Sequence, residues 1–244
     1  MNLVIDIGNT RIRAGIFDGA ELVLNLTDDK KGSQIIDFLK TGTIKIGRCI
    51  VSSVSEMPKK LKSLERYLER KPLILHDELP LPFTNRYSGK KTLGKDRIAA
   101  VAGACSLYPG KNVLVIDAGT AITFDFKTEK EEYLGGNISP GLTMRFKALN
   151  NYTARLPLVG ISDEYGLLGD STMTAIRNGV QNGMIYEINA YIETFHNKYD
   201  KLVVVLTGGD ADFFENKLKK PIFVVSNLTL IGLNIILQYN AEKL

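Results

Sequence analysis

Short apolar segments separated by turn residues open the sequence. Residues 3–7 are almost entirely apolar, and residues 11–17 and 21–26 alternate loosely between apolar and polar positions. Asp18-Gly19, a strong hairpin signal, lies between the last two segments. The pattern therefore predicts three consecutive strands joined by tight turns.

Helical and strand patterns alternate over the rest of the chain. Apolar positions at helical spacing predict helices over residues 33–40 (capped by Ser33), 57–71 (amphipathic, with a basic face), 94–107 and 169–199, and from residues 143 and 228 onward. Apolar, β-branched segments predict strands over residues 44–53, 72–75, 112–116, 121–126, 202–206 and 222–225. Gly135-Gly136 predicts a turn.

The opening pattern returns near the middle of the chain. Leu-Val-Ile-Asp6-Ile-Gly8 at the start matches Leu-Val-Ile-Asp117-Ala-Gly119. Each copy is a strand that ends in an Asp-x-Gly turn and leads into another strand. A repeat of this length indicates a duplicated domain, with one unit over residues 1–110 and a second over 111–244. The predicted fold class is α/β, with a mixed sheet and flanking helices used twice.

Composition limits the classes of protein to which the chain can belong. The 244 residues are 44% hydrophobic and 24% charged, which is ordinary for a globular protein. The net charge of +4 comes with scattered lysines, so no nucleic-acid partner is expected. Cys49 and Cys105 lie in apolar surroundings and do not form a disulfide framework. No apolar segment is long enough for a signal peptide or a membrane span, so we expect a cytoplasmic protein.

The two Asp-x-Gly turns have the chemistry of phosphate loops. Gly8 and Gly119 let backbone N–H groups approach a phosphate, and Asp6 offers an oxygen ligand for Mg²⁺, directly or through water. A third strand ends in Gly208-Gly209, where a flat adenosine could lie against the backbone. The alternative is that all three are plain turns, in which Asp and Gly are common. Neither a Walker A nor a Rossmann glycine motif is present.

Asp96 and Arg97 lie together at the predicted start of a helix, within Gly94-Lys95-Asp96-Arg97. A helix N-terminus favours anions. A carboxylate there could accept the proton of a substrate hydroxyl, and the arginine could bind a substrate carboxylate. Helix capping with an exposed ion pair is the alternative.

Six segments in order resemble the motifs of type III pantothenate kinases. They are Asp6-Ile-Gly-Asn-Thr10, Gly94-Lys-Asp-Arg97, Asp117-Ala-Gly-Thr120, Gly135-Gly-Asn-Ile-Ser-Pro-Gly141, Gly169-Asp-Ser-Thr172 and Thr207-Gly-Gly-Asp210. The resemblance covers nearly the whole chain. It implies two RNase H-like lobes of the actin-like ATPase type with the ATP cleft between them. The implied reaction is ATP-dependent phosphorylation of pantothenate to 4′-phosphopantothenate, the first step of coenzyme A biosynthesis.

The resemblance also implies a role for each matching residue. Asp96 is the proton acceptor, and Asp6 faces Mg²⁺ through water. ATP contacts Asp6, Ile7, Gly8, Asn9, Thr10, Arg11, Ile12, Arg13 and Thr120. Pantothenate contacts Tyr87, Gly94, Lys95, Asp96, Arg97 and Thr172. Asp117 binds a monovalent cation, K⁺ or NH₄⁺.

Members of the family are homodimers, which implies an interface on the long helix of the second lobe and a partner subunit that closes the pocket. Residues 156–161 are a candidate for that contact. The chain departs from the family at Lys90, where a proline usually follows the substrate tyrosine, here Tyr87, by three residues. Lys90 bears on the rigidity of this loop.

Two other functions fit parts of the sequence. A sugar kinase or exopolyphosphatase of the same superfamily would share the phosphate loops but leave the Gly-x-Asp-Arg segment unexplained. A non-catalytic ATP-binding accessory or regulatory protein would not need both Asp6 and Asp96. Pantothenate-dependent release of ADP distinguishes these alternatives.

Overall fold

Three antiparallel strands form one side of the first sheet, as the hairpin pattern predicts. The computed structural model describes residues 1–54, 56–219 and 221–241. In it, β1 (Asn2–Ile7) pairs with β2 (Ile12–Asp18), which pairs with β3 (Glu21–Asp28). Two further strands, β4 (Arg48–Ser53) and β5 (Leu73–Ile74), add in parallel and give the order β3-β2-β1-β4-β5. The sheet is therefore mixed, and β1 is its central strand.

Alternate residues of β1 pack on opposite faces of this sheet. Leu3 and Ile5 belong to a core shared with α1 (Ser33–Lys40) and with a 3₁₀ helix (Lys59–Tyr67). Val4 belongs to the core on the other face, formed with α2 (Lys95–Leu107) and α6 (Leu228–Ala241). Because side chains alternate along a strand, Asp6 lies on the face of α2 and α6.

Helices α2 and α6 pack closely because glycines face each other where they meet. A Cβ atom on Gly232 would lie 1.7 Å from the carbonyl oxygen of Ala99, and one on Gly103 would lie 2.6 Å from that of Leu228. Both obstacles are backbone atoms and cannot rotate away. The helix that begins at the predicted catalytic segment thus depends on residues near the other end of the chain.

We expect Gly232→Ala to lower the free energy of unfolding by about 2–4 kcal/mol, because the added methyl group forces the two helices apart. Gly179→Ala is the matched control: it is also a glycine within a helix, and an added Cβ there would meet none of the described residues within 4 Å. The control should gain about 0.5–1 kcal/mol from helix propensity. Denaturant titration of both variants measures the difference, and equal stabilities would contradict this packing.

The second sheet begins with the repeated pattern. Strand β7 (Val113–Ala118) is followed by β8 (Ala121–Lys127), and β10 (Val203–Thr207) pairs in parallel with β7. With β11 (Phe223–Val224) and β9 (Glu132–Pro140), the order is β11-β10-β7-β8-β9. The helices of this part are α3 (Leu142–Asn151), α4 (Thr172–Lys198) and α5 (Ala211–Glu215). Strand β9 begins beside β6 (Thr84–Asn85), with which it pairs in parallel.

The structure divides into two compact units. The first contains Met1–Gly110, Lys127–Gly135 and Asn227–Leu244, and the second contains Lys111–Phe126 and Gly136–Ser226. Each has a mixed sheet flanked by helices, as the predicted fold class requires. The segment that contains α6 packs with the first unit, although it follows the second in sequence. Among the described residues, no helix is long and apolar enough to span a membrane.

Three local predictions were wrong. Ser33 is the first residue of α1 rather than its cap, and the backbone N–H of Ile35 donates instead to the Asp28 carboxylate at 3.0 Å. The amphipathic segment after residue 57 forms a 3₁₀ helix over Lys59–Tyr67; Leu61 and Leu64 are three residues apart, a spacing that fits either kind of helix and could not distinguish them. Gly135-Gly136 lies inside β9 rather than in a turn.

Candidate active site

Asp6 is a buried carboxylate near the carboxyl end of β1. Its Cα pairs with that of Arg13 on β2, and the Arg13 Nη2 atom donates a hydrogen bond to Asp6 Oδ2 at 2.9 Å. Burial raises the pKa of Asp6; the charge and hydrogen bond of Arg13 oppose the shift, the Asp96 carboxylate adds to it, and the Ser52 hydroxyl opposes it weakly. Asp6 and Asp96 are therefore close enough to interact electrostatically.

The second oxygen of Asp6, Oδ1, is buried and has no hydrogen-bond partner among the described residues. A buried carboxylate oxygen without a partner is costly, and a hard divalent cation or its bound water would satisfy it. Asp6 therefore fits a role as an acceptor for a hydrated divalent cation.

The turn after Asp6 exposes some of the predicted ATP-binding residues and buries others. The N–H of Gly8 donates to the carbonyl of Arg11 at 3.1 Å, which closes the turn, and Asn9, Thr10 and Arg11 are exposed. The side chains at its two ends, Ile7 and Ile12, are buried in the core. Those two residues can reach a nucleotide only through their backbone atoms.

Asp96 lies in the first turn of α2, where Gly94 occupies the N-cap position. A Cβ atom on Gly94 would lie 2.5 Å from Asp96 Oδ1, so glycine leaves the space that this carboxylate occupies. The same oxygen accepts a hydrogen bond from the backbone N–H of Arg97 at 2.9 Å. Asp96 and its neighbour Lys95 are half-buried. This carboxylate is held at a helix N-terminus and remains partly open to solvent.

Arg97 is buried, and its guanidinium carbon lies 5.6 Å from the centre of the Tyr87 ring. The ring of Tyr87 stacks on that of Tyr133 with centroids 6.1 Å apart. Gly135 makes room on the same side, since a Cβ atom there would lie 3.3 Å from Tyr87. The glycine pair that resembled a turn signal instead allows β9 to pass close to this ring. The structure thus brings Tyr87 and Arg97 together.

Hydrogen bonds, rather than a proline, order the loop that contains Lys90. Thr92 donates both its backbone N–H and its hydroxyl to the carbonyl of Gly89, each at 3.0 Å. Asn85 Oδ1 accepts the N–H of Tyr87 at 3.0 Å on the other side of the loop. Both ends of the segment that carries Tyr87 are therefore fixed.

In the second unit, Asp117 and Thr120 lie at the carboxyl end of β7 and just beyond it. Asp117 pairs with Thr207 of β10. Gly208 adopts a φ of 101°, and a Cβ atom there would lie 2.5 Å from Asp117 Oδ1 and 2.4 Å from the Ala118 carbonyl oxygen. Thr120 is exposed, and its carbonyl accepts the N–H of Gly141 at 3.2 Å. The predicted adenosine loop is thus packed against the second Asp-x-Gly turn.

Thr172 is the first residue of α4 and is exposed. Ser171 caps this helix: its hydroxyl accepts the Thr174 N–H at 3.3 Å, while the Thr174 hydroxyl oxygen accepts the Ser171 N–H at 2.9 Å. The capping box fixes the start of a helix of 27 residues. Thr172 is therefore presented at a well-formed helix N-terminus.

Ser52 lies beside Asp6, and no sequence motif had identified it as part of the site. It is fully buried near the end of β4, and its Cα pairs with that of Asp6. The available signal was a serine at the carboxyl end of the apolar segment Cys49-Ile-Val51, in a strand that follows the first phosphate loop.

Comparisons with known proteins bear on the family and the fold of this chain. The model of the type III pantothenate kinase family matches residues 2–194. A Christiangramia forsetii protein named type III pantothenate kinase is 45% identical over 246 residues, which cover 100% of both chains. Among solved structures, a Campylobacter jejuni protein described as a Baf family transcriptional activator has a TM-score of 0.63 at 26% identity, covering 98% of this chain and 99% of that one. A Listeria monocytogenes protein described as an N-acetylmannosamine kinase shares the fold, with a TM-score of 0.54, 13% identity and coverage of 98% and 99%.

Proposed function

We propose residue roles for this chain, which belongs to the type III pantothenate kinase family and is therefore an ATP-dependent kinase that phosphorylates pantothenate in coenzyme A biosynthesis. The observation that supports the roles best is the state of two carboxylates in the first unit: Asp6 is buried with one oxygen atom that has no partner among the described residues, and Asp96 lies half-buried at the start of α2. A kinase needs one group to accept a proton and another to orient a metal ion, and these two residues offer both.

Asp96 is the general base in this proposal. It takes the proton of the primary hydroxyl of pantothenate as that oxygen bonds to the γ-phosphorus of ATP, and the bond between that phosphorus and the leaving oxygen of ADP breaks. The products are 4′-phosphopantothenate and ADP. Phosphoryl transfer depends mainly on positioning and on charge neutralisation. The partly open, fixed position of Asp96 suits a base that must meet a substrate.

Asp6 holds the hydrated divalent cation, which we take to be Mg²⁺. When bound, this cation neutralises charge on the phosphates of ATP. Residues 7–13 and Thr120 bind the phosphates, with Ile7 and Ile12 contributing backbone groups alone. Asp117 is the proposed ligand of a monovalent cation, K⁺ or NH₄⁺, because it is a carboxylate held at the end of a strand beside the backbone of Gly208.

Arg97 is the proposed partner of the pantothenate carboxylate. A buried guanidinium is a strong anion ligand, and the Tyr87 ring beside it limits its orientations. Gly94 and Lys95 are further proposed pantothenate contacts in the first unit, and Thr172, at the start of α4, is one in the second. We also propose a cytoplasmic location, which agrees with the free state of Cys49 and Cys105.

Large apolar side chains on the second unit support a homodimer. Tyr152 and Leu168 are 89% and 87% exposed, and Leu158, Met173 and Tyr186 are also exposed. Exposed apolar side chains in such number are typical of a protein–protein interface. Met173 and Tyr186 lie on α4 and Leu158 within residues 156–161, the segments predicted to meet a partner subunit.

We expect light scattering to give the mass of a dimer for the native chain and of a monomer for Tyr186→Arg, because a charge at an apolar interface is costly to bury. Val23→Arg is the control, since Val23 is an exposed apolar residue of the first unit and should leave the dimer intact. A native chain that is monomeric at micromolar concentration would refute the dimer.

The function is tested by coupling ADP release to a spectroscopic readout, with ATP, Mg²⁺ and K⁺, in the presence and absence of pantothenate. We expect turnover only with pantothenate and a product with the mass of 4′-phosphopantothenate. Sugar acceptors and polyphosphate serve as controls for other enzymes of this fold. Absence of turnover from folded protein, with either K⁺ or NH₄⁺ present, would contradict the assignment.

A second candidate is a regulatory ATP-binding protein. It is favoured by one observation, the description of the Campylobacter jejuni structure as a transcriptional activator. Such a protein would bind ATP in the same assay without releasing ADP. The pair of carboxylates, Asp6 and Asp96, favours the kinase.

A further inference from the structure

Three residues lie side by side across the centre of the first sheet. Asp6 on β1 is paired with Arg13 on β2 and, on its other side, with Ser52 on β4. Paired residues on neighbouring strands point to the same face of a sheet. Asp6 is therefore flanked by a guanidinium on one side and a hydroxyl on the other.

The two sides of Asp6 differ in hydrogen bonding. Arg13 binds Oδ2, whereas Oδ1 and the Ser52 hydroxyl are both buried and neither has a partner at full hydrogen-bonding geometry among the described residues, although the Ser52 hydroxyl is close enough to Asp6 to lower the pKa of its carboxyl group. Ser52 is 0% exposed and Asp6 is 3% exposed. A buried polar atom without a partner costs about 1–3 kcal/mol. Because these two oxygen atoms belong to residues paired on neighbouring strands, one bound polar molecule can satisfy both of them.

The second unit contains a related pairing of an aspartate with a hydroxyl. Asp117 is paired with Thr207 on the neighbouring parallel strand, and the Thr207 hydroxyl is likewise buried without a partner in the described part of the chain. In each unit, the aspartate of the Asp-x-Gly turn thus has a buried hydroxyl beside it on the next parallel strand. Ligands of α/β sheets bind at the carboxyl ends of such strands.

We propose that Ser52 is a positioning residue for Asp6, and that its hydroxyl shares with Asp6 Oδ1 one water molecule that belongs to the hydration shell of the divalent cation. Arg13 and Ser52 then hold the two carboxylate oxygens from opposite sides. The carboxylate is fixed in the orientation that receives the hydrated cation. This inference rests on the proposed role of Asp6.

The preference for serine over alanine at position 52 follows from this role. Its neighbours on β4, Cys49, Ile50 and Val51, are buried and apolar. An alanine would fit the same space and remove an unpaired hydroxyl. Ser52 thus places a hydroxyl beside the Asp6 carboxylate at the end of an otherwise apolar buried segment, where the hydroxyl can share one bound water molecule with Oδ1.

Ser52→Ala tests the proposal by isothermal titration calorimetry with a non-hydrolysable ATP analogue, over a range of Mg²⁺ concentrations. We expect the variant to bind the analogue about tenfold more weakly at limiting Mg²⁺, which corresponds to one hydrogen bond to a charged group, and to approach native affinity at saturating Mg²⁺. The thermal stability of the variant without ligand should equal or exceed that of the native protein.

Thr229→Val is the matched control. The Thr229 hydroxyl is also buried without a partner among the described residues. Thr229 follows Leu228, whose carbonyl lies against Gly103 of α2. Gly103 is two helical turns from Asp96, so Thr229 lies away from the proposed cation site. The Thr229→Val variant should bind the ATP analogue with the same Mg²⁺ dependence as the native protein. Native Mg²⁺ dependence in Ser52→Ala, or a loss of affinity that is equal at all Mg²⁺ concentrations, would overturn the role of Ser52 alone. If the native protein itself shows no Mg²⁺-dependent binding, the proposed role of Asp6 fails with it.

Discussion

Asp96→Asn should reduce turnover by about 10²–10⁴-fold while substrate affinity stays near native, because a general base commonly contributes that much to the rate. The substitution keeps the shape of the side chain and an oxygen that can still accept the Arg97 N–H. It removes the ability to take up the substrate proton. The change should therefore appear in kcat and leave the KM for pantothenate almost unchanged.

The control for this experiment is Asp37→Asn, at an exposed position of α1 that pairs with Lys40. It should have native kinetics. Circular dichroism and the unfolding midpoint establish that Asp96→Asn is folded. Native turnover in a folded variant would exclude Asp96 as the base, and a large rise in KM with native kcat would make it a binding residue.

Asp6→Asn should abolish most activity and, without ligands, should not destabilise the protein at neutral pH. Burial raises the pKa of Asp6 above its value in an unfolded chain, in spite of Arg13. The folded protein therefore holds this proton more tightly than the unfolded chain does. Stability from this group is present at low pH and declines as the pH rises from the ordinary aspartate pKa, about 3.9, through the raised one. Asparagine does not titrate, so the Asp6→Asn variant should lack this decline in stability with rising pH.

The measurement is the unfolding midpoint of both proteins from acid to neutral pH, with and without Mg²⁺ and the ATP analogue. We expect the unfolding midpoint of the variant to rise relative to that of the native protein as the pH increases. The variant should show little of the stabilisation that Mg²⁺ and nucleotide give the native chain. Asp18→Asn, at the exposed end of β2, should behave as native. A difference between the two midpoints that does not change with pH would refute the raised pKa, and full stabilisation by ligand would refute the metal role.

The strands and turns around the site were predictable because their signals are local. The order strand, Asp-x-Gly turn, strand was confirmed at both copies, since apolar segments and glycine turns act over a few residues. The start of α2 was predictable to within one residue for the same reason.

Other features depend on contacts between distant parts of the chain. Gly135-Gly136 has the composition of a turn, yet Gly135 serves the approach of β9 to Tyr87. Ser33 is a good helix cap by type, but Asp28 performs part of that role from the preceding strand. The pairing of Ser52 with Asp6 follows from the register of β1 and β4. These strands are far apart in sequence, so their register could not be predicted from local patterns.

Segment Asn227–Leu244, which contains α6, belongs to the first unit, and this has a consequence for synthesis on the ribosome. The core of that unit includes Leu230, Leu233 and Ile236, and Gly232 fits against Ala99. The polypeptide that carries Asp6 and Asp96 emerges early but cannot complete its core until α6 has also emerged. The second unit, which ends at Ser226, has all of its residues sooner. We therefore expect nascent chains to acquire protease resistance in the second unit before the first.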